Sequence, residues 1–165
     1  NMVGVITGLL VGGAWAIPRF GKKRVTALGN AISIVAFALL VAIALRREPG
    51  PVPIAIALVG LGTGAFTVGG VSLMMDLTVS GQAGLFVGAW TLAQALAKFG
   101  SSVLSGGIHD LVLRAGGSSH LAYASIFGIE GLGMLVATAL LFYLNVGTFR
   151  REVADLRQAL EYSIG

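Results

Sequence analysis

The sequence contains no cysteine, two histidines and four prolines, and only 11% of its 165 residues are charged. Without cysteine there is no disulfide framework, no thiolate metal site and no cysteine nucleophile. His109 and His120 are too few for a multi-histidine zinc centre. Charge is scarcer than the roughly 25% of an ordinary soluble domain. The net charge is +4, but no basic stripe with interleaved aromatics offers itself to nucleic acid. No serine, histidine and acid are grouped as a hydrolytic triad, and no glycine-rich loop cradles phosphate, so no enzyme and no metal site are expected.

Apolar side chains and glycine fill the remaining space. Hydrophobic residues make up 56% of the chain and glycine contributes 25 positions. Together they approach about 70%, against roughly 45–50% in soluble domains. A core of this size cannot hide so much apolar surface, so the surrounding solvent is lipid and the length divides into helical crossings of roughly 20 residues. Five apolar stretches stand out at 2–17, 25–45, 52–75, 84–107 and 121–144. They are continuous rather than alternating, which excludes a spanning barrel. The predicted fold class is all-α: a polytopic transmembrane helix bundle of about five spans over residues 1–145. Over 146–165, Phe149, Val153, Leu156, Leu160 and Ile164 recur at helical spacing, which predicts an amphipathic tail helix on the cytoplasmic face or docked on a partner. The first stretch is short for a core of about 30 Å, and the chain opens on Asn1, so the reading expects a portion of a longer protein.

Lysine and arginine set the orientation. Arg19, Lys22, Lys23, Arg24, Arg150, Arg151 and Arg157 fall on one side of the spans, while Arg46, Arg47 and Arg114 fall on the other. The richer side is expected to be cytoplasmic, which leaves the N-terminal end outside and the C-terminus inside. Small residues at spacing four (Gly4, Gly8 and Gly12; Gly60 and Gly64; Gly84 and Gly88 with Ala93, Ala97, Ser101 and Ser105) predict close helix packing.

Charges inside spans are costly, so each one calls for a role. Lys98 lies about 21 Å along its helix from the cytoplasmic start, and Glu130 about 15 Å from the opposite start of the next. At these depths they are expected to form an intramembrane pair, serving either as a clasp between helices or as a proton or ligand route. Asp76 closes the third stretch at the cytoplasmic boundary, within reach of the basic break or as a cap. Trp90 and Gln94 share a helix face and are candidates to line a ligand site. His109, with Asp110, is placed just beyond the fourth stretch, and His120 opens the fifth. Interfacial histidines serve as solvated or capping residues, and a neutral imidazole is also an axial ligand for a pigment magnesium.

The break Pro18-Arg19-Phe20-Gly21-Lys22-Lys23-Arg24 resembles the loop signature of the major facilitator superfamily, with Pro18 where that pattern has aspartate. Ser72-Leu-Met-Met-Asp76-Leu-Thr, Ala83-Gly-Leu-Phe-Val-Gly-Ala-Trp90, Gly106-Gly-Ile-His-Asp110 and Phe149-Arg-Arg-Glu152 together resemble the PucC family, the bacteriochlorophyll delivery branch of that superfamily. The resemblance implies the last five helices of a twelve-helix protein in a bacterial inner, photosynthetic membrane. Its partners would be the lipid bilayer, the missing N-terminal half, and antenna or reaction-centre subunits. The implied function is a membrane assembly factor for light-harvesting complexes that binds or delivers bacteriochlorophyll or chaperones antenna subunits. The alternatives are half of a proton-coupled secondary transporter for a small amphiphilic solute, with Lys98 and Glu130 in the coupling route, and a permanent structural subunit.

Overall fold

A computed structural model describes residues 2–78 and 83–143, all in helices and short connections, with no strand among the described residues. The expected tail helix over 146–165 lies outside the described residues. The first crossing is built from α1 (Met2–Leu10), a π-helical segment (Val11–Ala16) and α2 (Ile17–Phe20). The π turn has a local cause in Pro18, which has no N–H to give to the residue four back and whose ring crowds that carbonyl. Widening the turn relieves the crowding, and the Ile17 N–H bonds the oxygen of Gly12, five residues back.

Gly21 separates α2 from α3 (Lys22–Arg46) at φ 81° and ψ 157°, a region essentially reserved for glycine. The Gly21 N–H bonds the Ile17 oxygen at 2.9 Å, and its carbonyl accepts from Val25 at 3.1 Å, so one residue ends a helix and starts the next. Arg47, in the left-handed conformation at φ 59°, stops α3 ahead of the Pro49-Gly50-Pro51 turn. Then follow α4 (Val52–Leu77), α5 (Ala83–Arg114) and α6 (Ser119–Tyr143).

One expectation needs correction here. The fourth apolar stretch does not end at Gly107: α5 runs on through Gly106 and Gly107 to Arg114, so His109 and Asp110 sit on the helix rather than beyond it. The true stop is a pair of backbone bonds, from Gly116 N–H to the Leu113 oxygen (3.0 Å) and from Gly117 N–H to the Val112 oxygen (2.9 Å), with Gly116 at φ 81°. This is the Schellman arrangement. Among the described residues, four helices are by length and composition apolar enough to span a membrane: Met2–Phe20, Lys22–Arg46, Val52–Asp76 and Ser119–Tyr143. The longest helix, α5, falls short because Gln94, Lys98, Ser101, Ser102, His109 and Asp110 dilute its apolar content.

Laterally, α4 lies between α1 and α3, α3 lies between α4 and α6, and α5 packs on α6. Small residues make these contacts close, as bundles in lipid require. A Cβ on Gly4 would come 2.6 Å from the Ala57 oxygen, one on Gly8 would strike the Leu61 oxygen, and one on Gly64 the Val5 oxygen. The other side of α4 uses Gly62 and Gly69 against Gly29, Ser33 and Thr26 of α3. By contrast, Gly84 and Gly88 of α5 face open space, and no residue of α5 is buried. The core is accordingly thin: Val25, Ala36, Leu40, Ala55, Ala122, Ala124 and Ile126, with Thr26, Asn30 and Ser33 buried beside them. Large apolar side chains such as Val35, Leu96, Phe99, Leu132 and Leu140 cover the outside. That inversion suits a hydrocarbon solvent and would be insoluble in water.

Candidate functional site

The connections gather at two ends of the bundle, and each end carries its own chemistry. At the end formed by the α2–α3 turn and the C-terminal ends of α4 and α6, Lys22 donates through Nζ to Asp76 Oδ1 at 2.8 Å. Lys23 donates to the Phe142 carbonyl at 3.1 Å, and its ammonium lies 5.8 Å from the centre of the Phe142 ring. The guanidinium of Arg19 stacks 4.7 Å over Trp15. Arg24 borders a shallow groove with Phe20, Leu28 and Phe142. The basic turn is thus tied to two other helices, with Asp76 on the same side as the basic break, as its sequence position predicts. Both partners of the Lys22–Asp76 pair are about one-third exposed, so the bond fixes geometry more than it adds stability.

Above this end, a cavity of about 410 Å³ lies between α3, α4, α5 and α6. Thr26, Asn30, Phe66, Phe86 and Trp90 contribute to its wall. Trp90 reaches across from α5 to pack where a Cβ on Gly70 would stand 3.4 Å from the indole. Gln94, its expected companion, does not line this cavity and is exposed. Asn30 escaped the sequence reading because one amide in an apolar run has no local pattern. It is buried and donates through Nδ2 to Thr138 Oγ1 of α6 at 3.0 Å, while Thr138 donates to the Met134 oxygen at 2.8 Å.

The larger cleft, about 750 Å³, opens at the opposite end, between α3, the α3–α4 turn, α4 and α6. Arg47, Glu48 and His120 stand at its mouth, and Phe37, Tyr123, Phe127 and Glu130 line it further in. The rings form a continuous series: Phe37 to Phe127 at 6.2 Å, Phe127 to Tyr123 at 6.3 Å, and Tyr123 to His109 of α5 at 5.5 Å. His109 Nδ1 is 3.8 Å from Asp110 Oδ1, on the seam between α5 and α6. Trp90, Gln94, His109 and His120 therefore occupy four separate places.

The expected Lys98–Glu130 pair is not formed. Glu130 lines the cleft, Lys98 is exposed on α5, and among the described residues no ion pair or hydrogen bond joins them. The cause is the extension of α5 to Arg114. Lys98 stands roughly 24 Å from the α5–α6 turn along its helix and Glu130 roughly 17 Å, a mismatch of over a helical turn. Among the described residues, no group of three His, Cys, Asp or Glu side chains is placed to hold a metal ion.

No solved structure matches this chain. A protein of Rhodobacter capsulatus encoded in the puhA–bchM intergenic region is 32% identical over 143 residues, covering 79% of this chain. The match takes up 30% of that relative, so the chain spans under a third of its length. The family described as PUCC protein matches residues 1–149, from the first crossing through the basic turn and both cavities, and the chain belongs to it.

Proposed function

We propose that this protein is a membrane assembly factor for light-harvesting complexes, which binds or delivers bacteriochlorophyll or chaperones antenna subunits. The observation that carries the reading is membership of the PUCC family over residues 1–149, together with a relative from the puhA–bchM region of a photosynthesis gene cluster. The larger cleft supports it: apolar, aromatic-walled, with a few polar groups, and of a volume ordinary for a ligand site. The protein would work in a bacterial photosynthetic membrane with the basic turn and the C-terminus in the cytoplasm. It would work together with the rest of its own longer chain and with antenna or reaction-centre subunits. The transporter alternative drew its residues from a Lys98–Glu130 coupling route and loses that support.

The test is purification of the full-length protein from a pigmented membrane, combined with pulse labelling. Near-infrared bands or antenna subunits that co-purify, and that leave the protein as the antenna matures, are expected. Proton-coupled solute uptake in vesicles, with neither pigment nor antenna subunits bound at any stage, would overturn the reading.

A further inference from the structure

The larger cleft holds one feature that its apolar walls do not explain. Glu130 contributes a carboxylate to an otherwise apolar interior, and no hydrogen bond or ion pair engages it among the described residues. A charge-bearing group within a span is costly, and one left without a partner is a candidate binding group. Its helix arranges it with purpose: His120, Tyr123, Phe127 and Glu130 recur at three, four and three residues, which puts them on one face of α6 turned to the cleft. From His120 at the mouth to Glu130 is roughly 15 Å along the helix. Between them the rings of Tyr123 and Phe127 lie nearly parallel, 22° apart, with Phe37 of α3 opposite.

A flat, amphiphilic aromatic molecule fits such a slot, with its polar substituents at the mouth beside Arg47 and His120. The donor deep inside is a carboxyl oxygen, and hard cations such as magnesium take oxygen ligands. We infer that the cleft is a seat for a magnesium tetrapyrrole, with the Glu130 carboxylate as axial ligand and Phe37, Tyr123 and Phe127 as the walls against the macrocycle. This rests on the pigment reading above and adds to it the place and the ligand. His120, the donor suggested by histidine's ordinary chemistry, stands at the mouth instead.

The test uses purified full-length protein titrated with magnesium bacteriochlorophyllide and, in parallel, with its metal-free counterpart, read by the near-infrared absorption shift and induced circular dichroism. The wild-type protein is expected to bind the magnesium form more tightly than the metal-free form. Glu130→Gln and Phe127→Ala should each weaken binding of the magnesium form by at least the roughly tenfold seen when metal sites lose supporting groups. Glu130→His should restore binding with a displaced band, and Gln94→Ala, exposed on α5 outside the cleft, should leave the spectrum unchanged. Equal binding of the magnesium and metal-free forms would overturn the ligand role, as would an unaltered Glu130→Gln spectrum, and either would leave pigment handling standing. Failure of the wild-type protein to bind either form would remove the seat and the pigment arm of the proposed function together.

Discussion

At the scale of single residues, two positions decide more than their size suggests. Gly21 holds a backbone conformation that other residues rarely adopt, and a Cβ there would meet nothing within 4 Å. The penalty of Gly21→Ala is therefore one of backbone strain alone, about 1–3 kcal/mol, to be measured as a loss of stability in detergent-denaturation curves. A result near zero would mean that α2 and α3 can rejoin without the break. Asn30 is the second. Its bond to Thr138 joins α3 to α6 in the interior, where such bonds in membrane proteins average about 0.6 kcal/mol. A double-mutant cycle with Asn30→Ala and Thr138→Ala should return a coupling of that order. The Lys22–Asp76 pair, partly exposed, should couple by less than about 1 kcal/mol and weaken as salt is added.

At the scale of helices, small residues behave in two ways according to what they face. Gly64 and Gly88 are each part of a spacing-four stripe, yet the first abuts the Val5 backbone and the second faces open space. Gly64→Val should push α1 off α4 and cost about 1–3 kcal/mol as overpacking, whereas Gly88→Val should leave the stability of this bundle unchanged. Matching losses at both sites would show that the open face of α5 is covered in the full-length protein. The same helix shows where sequence reading stops being reliable. The run from Gly84 to Gly107 reads as an apolar segment, and its continuation does not stand out because His109 and Asp110 interrupt the apolar pattern just beyond it. Ile108, Leu111, Val112 and Leu113 do favour it, and the helix gains two turns. Those turns displace Lys98 relative to Glu130 and turn an expected pair into two separate residues.

For the molecule as a whole, what a local pattern can encode was readable: the apolar stretches, the basic turn, Asp76 on the same side, and the glycine stripes of α1 and α4. Lateral order was not readable, because no periodicity within one helix says which other helix it meets. Hence Phe37 opposite Phe127, Asn30 opposite Thr138 and the position of Glu130 in the cleft emerge only once α3 is found between α4 and α6. With no cysteine among these 165 residues, orientation is testable once any cysteine elsewhere in the full-length protein has been replaced. Single cysteines introduced at Arg24 and at Glu48 of the full-length protein should react with a membrane-impermeant reagent from opposite sides, the Arg24 position from the cytoplasmic side. Labelling of both from one side would contradict the alternation of the helices.

The Asn30–Thr138 bond also sets a clock for synthesis. Its two partners are 108 residues apart, so Asn30 enters the bilayer long before the helix that carries Thr138 has been made. Throughout that interval its amide lacks the Thr138 hydroxyl, since the chain emerges N-terminal end first. Arrival of α6 supplies that hydroxyl and adds Ala137, Leu140 and Leu141 to the wall of the smaller cavity in one event. A chain cut short before α6 would therefore leave the Asn30 amide without its Thr138 partner.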